Sequence, residues 1–179
     1  EEAKRVAGIA DNQRDLLKIH RQEEFIASLR TNDVPDKTSL DSQLEHTLET
    51  VVAWCRLSFA CVFATKITGG NVLGKFLARG LPADIAANPP HFNWRRAGLP
   101  DGSVQSAVSS DHRPYAEGIR GTNAHVVREK IRVITPVAIP SRQRAVLCLG
   151  GFPEGVDLTR EADFLQRVAR RILRPYLEH

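Results

Sequence analysis

Methionine is absent from this sequence, even at its first position, which is Glu1. A chain of this kind is expected to be a piece excised from a longer protein whose output domain lies elsewhere. Cysteine is scarce as well: Cys55, Cys61 and Cys148 are odd in number and lack metal-ligand spacing. That usage excludes a disulfide-stapled scaffold and fits buried, inert thiols in a reducing compartment. No apolar run approaches the roughly 20 residues of a membrane span, and the opening residues do not read as a signal peptide. No membrane partner and a cytoplasmic location are therefore expected. Internal repeats and low-complexity tracts are missing too. The last residues, 177–179 (LEH), read as the start of a histidine tag and are set apart from functional reasoning.

What is present suits one globular domain with an extra long element. The 179 residues are 42% hydrophobic and 26% charged, which excludes disordered and collagen-like chains. A chain of this size buries a real core without disulfides or metals. The net charge is +4, and arginines gather in two places, around Arg128 to Arg144 and around Arg160 to Arg174. Acids are interleaved throughout and no DNA-binding motif occurs, so these clusters read as solvated faces. Nucleic acid is expected only through a domain absent from this sequence.

Along the chain, residues 1–30 hold good helix formers, no proline and one glycine. Val6, Ile9, Leu16, Leu17, Ile19, Phe25, Ile26 and Leu29 form a helical stripe. At 1.5 Å per residue such a helix spans about 45 Å, enough for a dimerising or signalling helix, although packing back onto the domain is an equal alternative. Residues 31–38 form a linker around Pro35. A second helix follows, capped by Ser39 or Asp41, with Leu40, Leu44, Leu48, Val51 and Val52 on its buried side, ending near Arg56. SFACVFAT (58–65), the turn ITGGN and VLGKFLAR (72–79) read as a hairpin. Residues 82–101 are irregular, yet they carry Phe92 and Trp94. GIRGTNAHVVREK (118–130) reads as a loop. IRVITPVAI (131–139) and RAVLCLGG (144–151) read as two more strands. A closing helix follows, capped by Asp157 or Thr159, with Phe164, Leu165, Val168, Ile172 and Leu173 inward. Strand runs flanked by terminal helices imply an α+β domain with an antiparallel sheet.

GSVQSAVSSDHRPY (102–115) contains serines, an aspartate and a histidine, the ingredients of a nucleophilic hydrolase. No strained G-x-S-x-G turn accompanies them, and neighbouring letters rarely supply triad geometry. Arg113-Pro114 reads as the exit of a short helix, because the residue before proline is pushed out of the helical region. The stretch is expected to be scaffold.

Taken in order, these pieces resemble the GAF family of small-molecule sensor domains. The helix SLDSQLEHTLETVVAWC, the hairpin ending in GLP, and the short helix of GSVQSAVSSDHRPY with Val108 carry the first part. The strand pair IRVITPVAI and RAVLCLGG, then the helix DLTREADFLQRVARRI, carry the rest. The resemblance covers residues 39–176. It implies a central antiparallel GAF/PAS-like sheet with the terminal helices on one face and a lid of loops and short helices over the other. It also implies a pocket under that lid. Phe92, Trp94, Val104, Val108 and Tyr115 are its expected walls. Asn123, His125 and Arg132, with His91, are its expected polar contacts. The competing expectation is that Phe92 and Trp94 fill the space as core.

Bilin attachment is disfavoured because no cysteine lies between Cys61 and Cys148. Cyclic nucleotide is disfavoured because the Asn-Lys…Phe…Asp-Glu signature is not found around TNAHVVREK. Reduction of free methionine sulfoxide would use loop cysteines, whereas Cys61 and Cys148 lie in strand-like runs. No metal site is expected. The expected ligand is a small organic effector, anionic if Arg128, Lys130 and Arg132 face it. The expected function is a non-enzymatic sensor domain in signal transduction, such as transcription regulation, relaying through terminal helices in a homodimer. The alternative is a ligand-free GAF-like module for dimerisation or protein interaction.

Overall fold

A computed structural model of the chain describes residues 2–29, 39–98, 113–139 and 143–178. The chain divides into two compact units, Glu1–Arg30 and Thr31–His179. The first is one helix, α1 (Glu2–Ser28). The second contains α2 (Leu40–Cys55), β1 (Phe59–Thr68), β2 (Asn71–Arg79), α3 (Ala83–Ala87) and β3 (His91–Phe92). After these come α4 (Arg113–Ala116), β4 (Ile119–Arg120), α5 (Ala124–Lys130), β5 (Ile131–Ala138), β6 (Arg144–Gly150) and α6 (Ala162–Glu178).

Ser39 is the residue that caps α2: its hydroxyl accepts the N–H of Ser42. Arg56 ends the helix in the left-handed conformation, its N–H bonded back to the last turn. Gly69 and Gly70 both have positive φ, 58° and 80°, as the favoured two-residue hairpin turn requires. The strands it joins are therefore longer than their apolar runs. Asp157 accepts the N–H groups of Thr159 and Arg160 and forms the turn that leads into α6.

The sheet is antiparallel with strand order β2-β1-β6-β5, giving the α+β class that the strand and helix order predicts. β1 is central, which its nearly unbroken apolar run anticipates. Pro136 sits in β5, an edge strand, where its missing N–H removes no ladder bond that the sheet needs. Alternate residues divide the two faces. Ala60, Val62, Leu147, Leu149, Val133 and Val137 belong to one, and all are buried. α2 lies against β2 and β1, α6 against β5 and β6, and the two helices meet. Leu44, Leu48 and Val51 of α2 and Leu165, Val168, Ile172 and Leu173 of α6 are buried. Each such residue contributes roughly 1.5–3 kcal/mol when removed from water. Phe59, Cys61, Phe63, Val146 and Cys148 form the other face and join the core under the short elements between the hairpins.

Two sequence expectations change here. Residues 118–130 hold the short strand β4 and the helix α5 rather than a plain loop. Two valines in seven residues hide the helix from propensity, but Ala124 and Val127 are buried on one side of it. Arg113-Pro114 does not mark an exit from helix: both residues belong to α4.

The end of α6 is held by side chains. Pro175 lies inside that helix, yet the helix continues, and Tyr176 and Leu177 are buried. Leu177 thus packs with the domain. The terminal carbonyls, which have no helical partner, are taken up from outside. Lys66 Nζ donates to the Tyr176 carbonyl at 3.0 Å and Gln143 Nε2 to that of Leu177 at 2.8 Å. The Tyr176 hydroxyl donates to Asp41 of α2 at 2.7 Å, and Lys75 of β2 pairs with the other oxygen of that carboxylate at 3.3 Å.

Burial, then the hydrogen bond and charge of Asp41, hold the Tyr176 phenol above its ordinary range. An unfolded phenol titrates near about 10. This stabilisation is therefore complete below about pH 10 and is lost as pH rises further. Lys66 shifts oppositely: burial lowers its pKa, Asp41 opposes this and Lys75 reinforces it. Tyr176→Phe is expected to cost about 1 kcal/mol at neutral pH and to abolish part of the alkaline loss. The gap in Tm between the two proteins should narrow as pH passes 10, and a constant gap would refute the assignment. Elsewhere on the helix-covered face, Thr135 is fully buried and its hydroxyl has no hydrogen-bond partner among the described residues. Thr135→Val should raise stability by roughly 1 kcal/mol in urea unfolding, because an unmet buried polar group costs about that much or more. A loss of stability there would reveal a hidden partner.

Candidate functional site

On the face opposite α2 and α6, the middle of the sheet is covered by side chains. Ile85 of α3, Ile119 of β4, Ala124 and Val127 of α5, and Trp94 pack over Cys61, Phe63, Val146 and Cys148. β3 and β4 form a two-residue ribbon, His91 opposite Arg120 and Phe92 opposite Ile119. Gly118 allows this close packing: a methyl group there would meet the Phe92 ring and Ala97. The Phe92 ring lies 5.7 Å from that of Phe63 and 4.9 Å, edge-on, from that of Trp94. Arg144 stacks on Trp94 at 4.3 Å from the ring centre.

Beside this packed centre, a cleft of about 280 Å³ opens between the β1–β2 hairpin and the segment before β3. Its walls include Phe63, Phe76, Phe92 and Trp94, with Thr65, Lys75 and His91 as polar members and Gly74 on the hairpin side. The volume falls just below the roughly 300–1,000 Å³ usual for small-molecule sites.

The residues named from sequence divide among several places. Phe92 and Trp94 come together and serve both as core and as cleft wall. Tyr115, half-buried on α4, packs against the same cluster without lining the cleft. Asn123 precedes α5 in the left-handed conformation, φ 63°, and its amide donates to the Asn88 carbonyl at 3.2 Å. His125 is exposed on α5. Arg132 is exposed on β5 and lines a different groove. Arg128 donates to the Ile119 carbonyl at 2.7 Å and so braces β4. Val104 and Val108 lie outside the described residues. Phe63 and Phe76 were missed. A signal for them existed, because a two-residue turn at Gly69-Gly70 sets a register in which these two phenylalanines face each other.

The likeness of this chain to known proteins is distant. No protein-family model matches it, and no curated protein matches it. Among solved structures, it is similar to the GAF domain of a phosphoenolpyruvate-protein phosphotransferase from Acinetobacter. The two share 10% identity over 90% of this chain and 93% of the other, with a TM-score of 0.46. The α+β architecture of the chain is defined by its own sheet and helices.

The cysteines are placed for packing. Cys61 and Cys148 are cross-strand partners in β1 and β6, both fully buried and both free thiols. Burial, a hydrogen bond with Cys61 and its charge push the Cys148 thiol well above the ordinary thiol range. Cys55 is pushed up to about 12 by burial and by the charge of Glu161. Thiolate is the reactive form, which Cys55 and Cys148 disfavour, and Cys61 is fully buried, so all three should resist a disulfide reagent in the native protein at neutral pH. All should react once guanidinium unfolds the chain. Fast native labelling of Cys61 or Cys148 would show that the sheet opens locally.

Proposed function

We propose that the chain is a regulatory module of the GAF type that senses a small organic effector. The observation that carries this is the aromatic cleft beside the packed sheet centre. Four rings line it, and two of them, Phe92 and Trp94, are among the walls that the sequence resemblance implies. A ligand of this volume with a flat apolar part would stack on Phe76 and Phe92 and reach Thr65 and His91. The module has no catalytic step of its own in this reading. It works in the cytoplasm, within a longer protein that acts in signal transduction or transcription control.

Relay to the output would pass through the terminal helices of a homodimer. α1 supports this part: Val6, Ile9 and Leu16 recur at spacings of three and seven, a stripe that one helix cannot cover by itself. An effector shifts such a dimer only if it binds one helix arrangement better than the other. A second reading, a ligand-free module for dimerisation or protein interaction, is favoured by the packing of Phe92 and Trp94 into the core.

Gly74→Phe separates the readings. A side chain there meets nothing within 4 Å, so the new ring should enter the cleft without disturbing β2. Native mass spectrometry of the freshly purified protein is expected to show a small adduct that Gly74→Phe lacks. Added at about 100 times its Kd, that compound should stabilise the original protein by about 2.7 kcal/mol and the variant not at all. Two proteins that both run as bare dimers, with no stabilising compound, would favour the interaction module. Sedimentation of Leu16→Glu, expected to be monomeric, tests the helix pairing, and an undisturbed dimer would overturn it.

A further inference from the structure

Another hollow among the described residues lies beside the start of β1. It is a groove of about 440 Å³ between the start of β5 and the loop that leaves β6. Lys130, Arg132 and Ser58 line it on one side, and Phe152, Pro153 and Val156 on the other. How Arg132 arrives there is informative. Ile131 pairs with Gly150 and Val133 with Leu149, so β5 carries one extra residue at this point, and that residue is Arg132. The bulge lets Ile131 and Val133 bury on opposite faces of the sheet while Arg132 stands out from the edge strand. Bulges re-aim side chains in this way and recur beside binding sites.

The charge in the groove is unspent. Lys130 and Arg132 have no carboxylate partner among the described residues, and the Ser58 hydroxyl has no hydrogen-bond partner among them either. Arg128, the third member of this basic run, is committed to the Ile119 carbonyl. Two cations face a single acid, Glu129, so the groove is net positive. The backbone packs closely against Ser58 here. Gly151 has φ 75° and lies so close to Ser58 that any larger residue would collide with that side chain. The opposite wall is apolar, and Val156 is 39% exposed.

We propose that this groove is a second binding site, for a small amphipathic anion. Its oxyanion head, carboxylate or phosphate, would be held by the Arg132 guanidinium, the Lys130 ammonium and the Ser58 hydroxyl, all donors suited to oxyanions. Its short apolar body lies along Phe152, Pro153 and Val156. An occupant ties β5 to the loop that leads into α6. The site shares no lining residue with the aromatic cleft, whose β1 residues begin at Phe63.

Amide chemical shifts of the full chain, titrated separately with hexanoate, hexyl phosphate, acetate and 1-hexanol, test this. Hexanoate or hexyl phosphate should shift Arg132, Gly151 and Val156 saturably, with a Kd of about millimolar or tighter. Acetate and hexanol, each lacking half of the chemistry, should bind at least roughly tenfold more weakly. Arg132→Ala should weaken the anion by roughly tenfold, Arg132→Lys by less, and Gly74→Phe not at all, with the Tm of each unchanged. Shifts confined to Gly74, Phe76 and Trp94 would overturn the proposal. So would equal affinity in Arg132→Ala, or no saturable shift.

Discussion

Everything in this domain depends on β1, a central strand whose two faces are both apolar. Ala60, Val62 and Ala64 alternate with Phe59, Cys61 and Phe63, and all six are buried. A strand of that kind cannot leave either face to water, so the sheet needs two covers. Helices α2 and α6 supply one, with regular stripes. The other is assembled from short pieces, α3, the β3–β4 ribbon, α4 and α5, each too small to be stable alone. They hold because each presents one or two apolar residues to the same patch of sheet.

That difference between the covers decides where ligands can go. Two long helices packed on a sheet interdigitate along their whole length and leave little room. A cover of short elements meets the sheet closely only at its anchors, here Ile85, Trp94, Ile119 and Val127. Between and beyond the anchors, gaps persist. The aromatic cleft, beside the middle of β1, and the basic groove, at its start, are two such gaps. The first is walled by rings and suits a flat apolar molecule. The second is net positive on one side and apolar on the other.

Polar groups in the domain serve mainly to close the ends of elements. Ser39 starts α2, Asp157 starts the turn into α6, and Lys66 and Gln143 finish α6. Asp41 joins α2 to both Tyr176 and Lys75, so one carboxylate links two helices and a strand. The helix-covered face therefore has defined ends as well as a packed middle. This is the reason Pro175 does not terminate α6: the residues beyond it are held by contacts that outweigh one missing backbone bond.

Much of the fold could be read from the chain itself, because strands and long helices write their faces into local periodicity. β1, the Gly69-Gly70 turn, β6 and the stripes of α2 and α6 all stand where their patterns place them. α5 did not show, since seven residues make too little periodicity and its valines favour strands. Of the site residues, Phe92 and Trp94 were legible as aromatic side chains in an irregular segment, which need something to pack on. That Phe63 joins them, that Asn123 braces Asn88, and that Arg132 turns away into another groove were decided only by the tertiary structure. Those outcomes depend on strand register, on a one-residue bulge and on which short element fits beside which. Such relations join residues far apart in the chain, and no local pattern of letters encodes them.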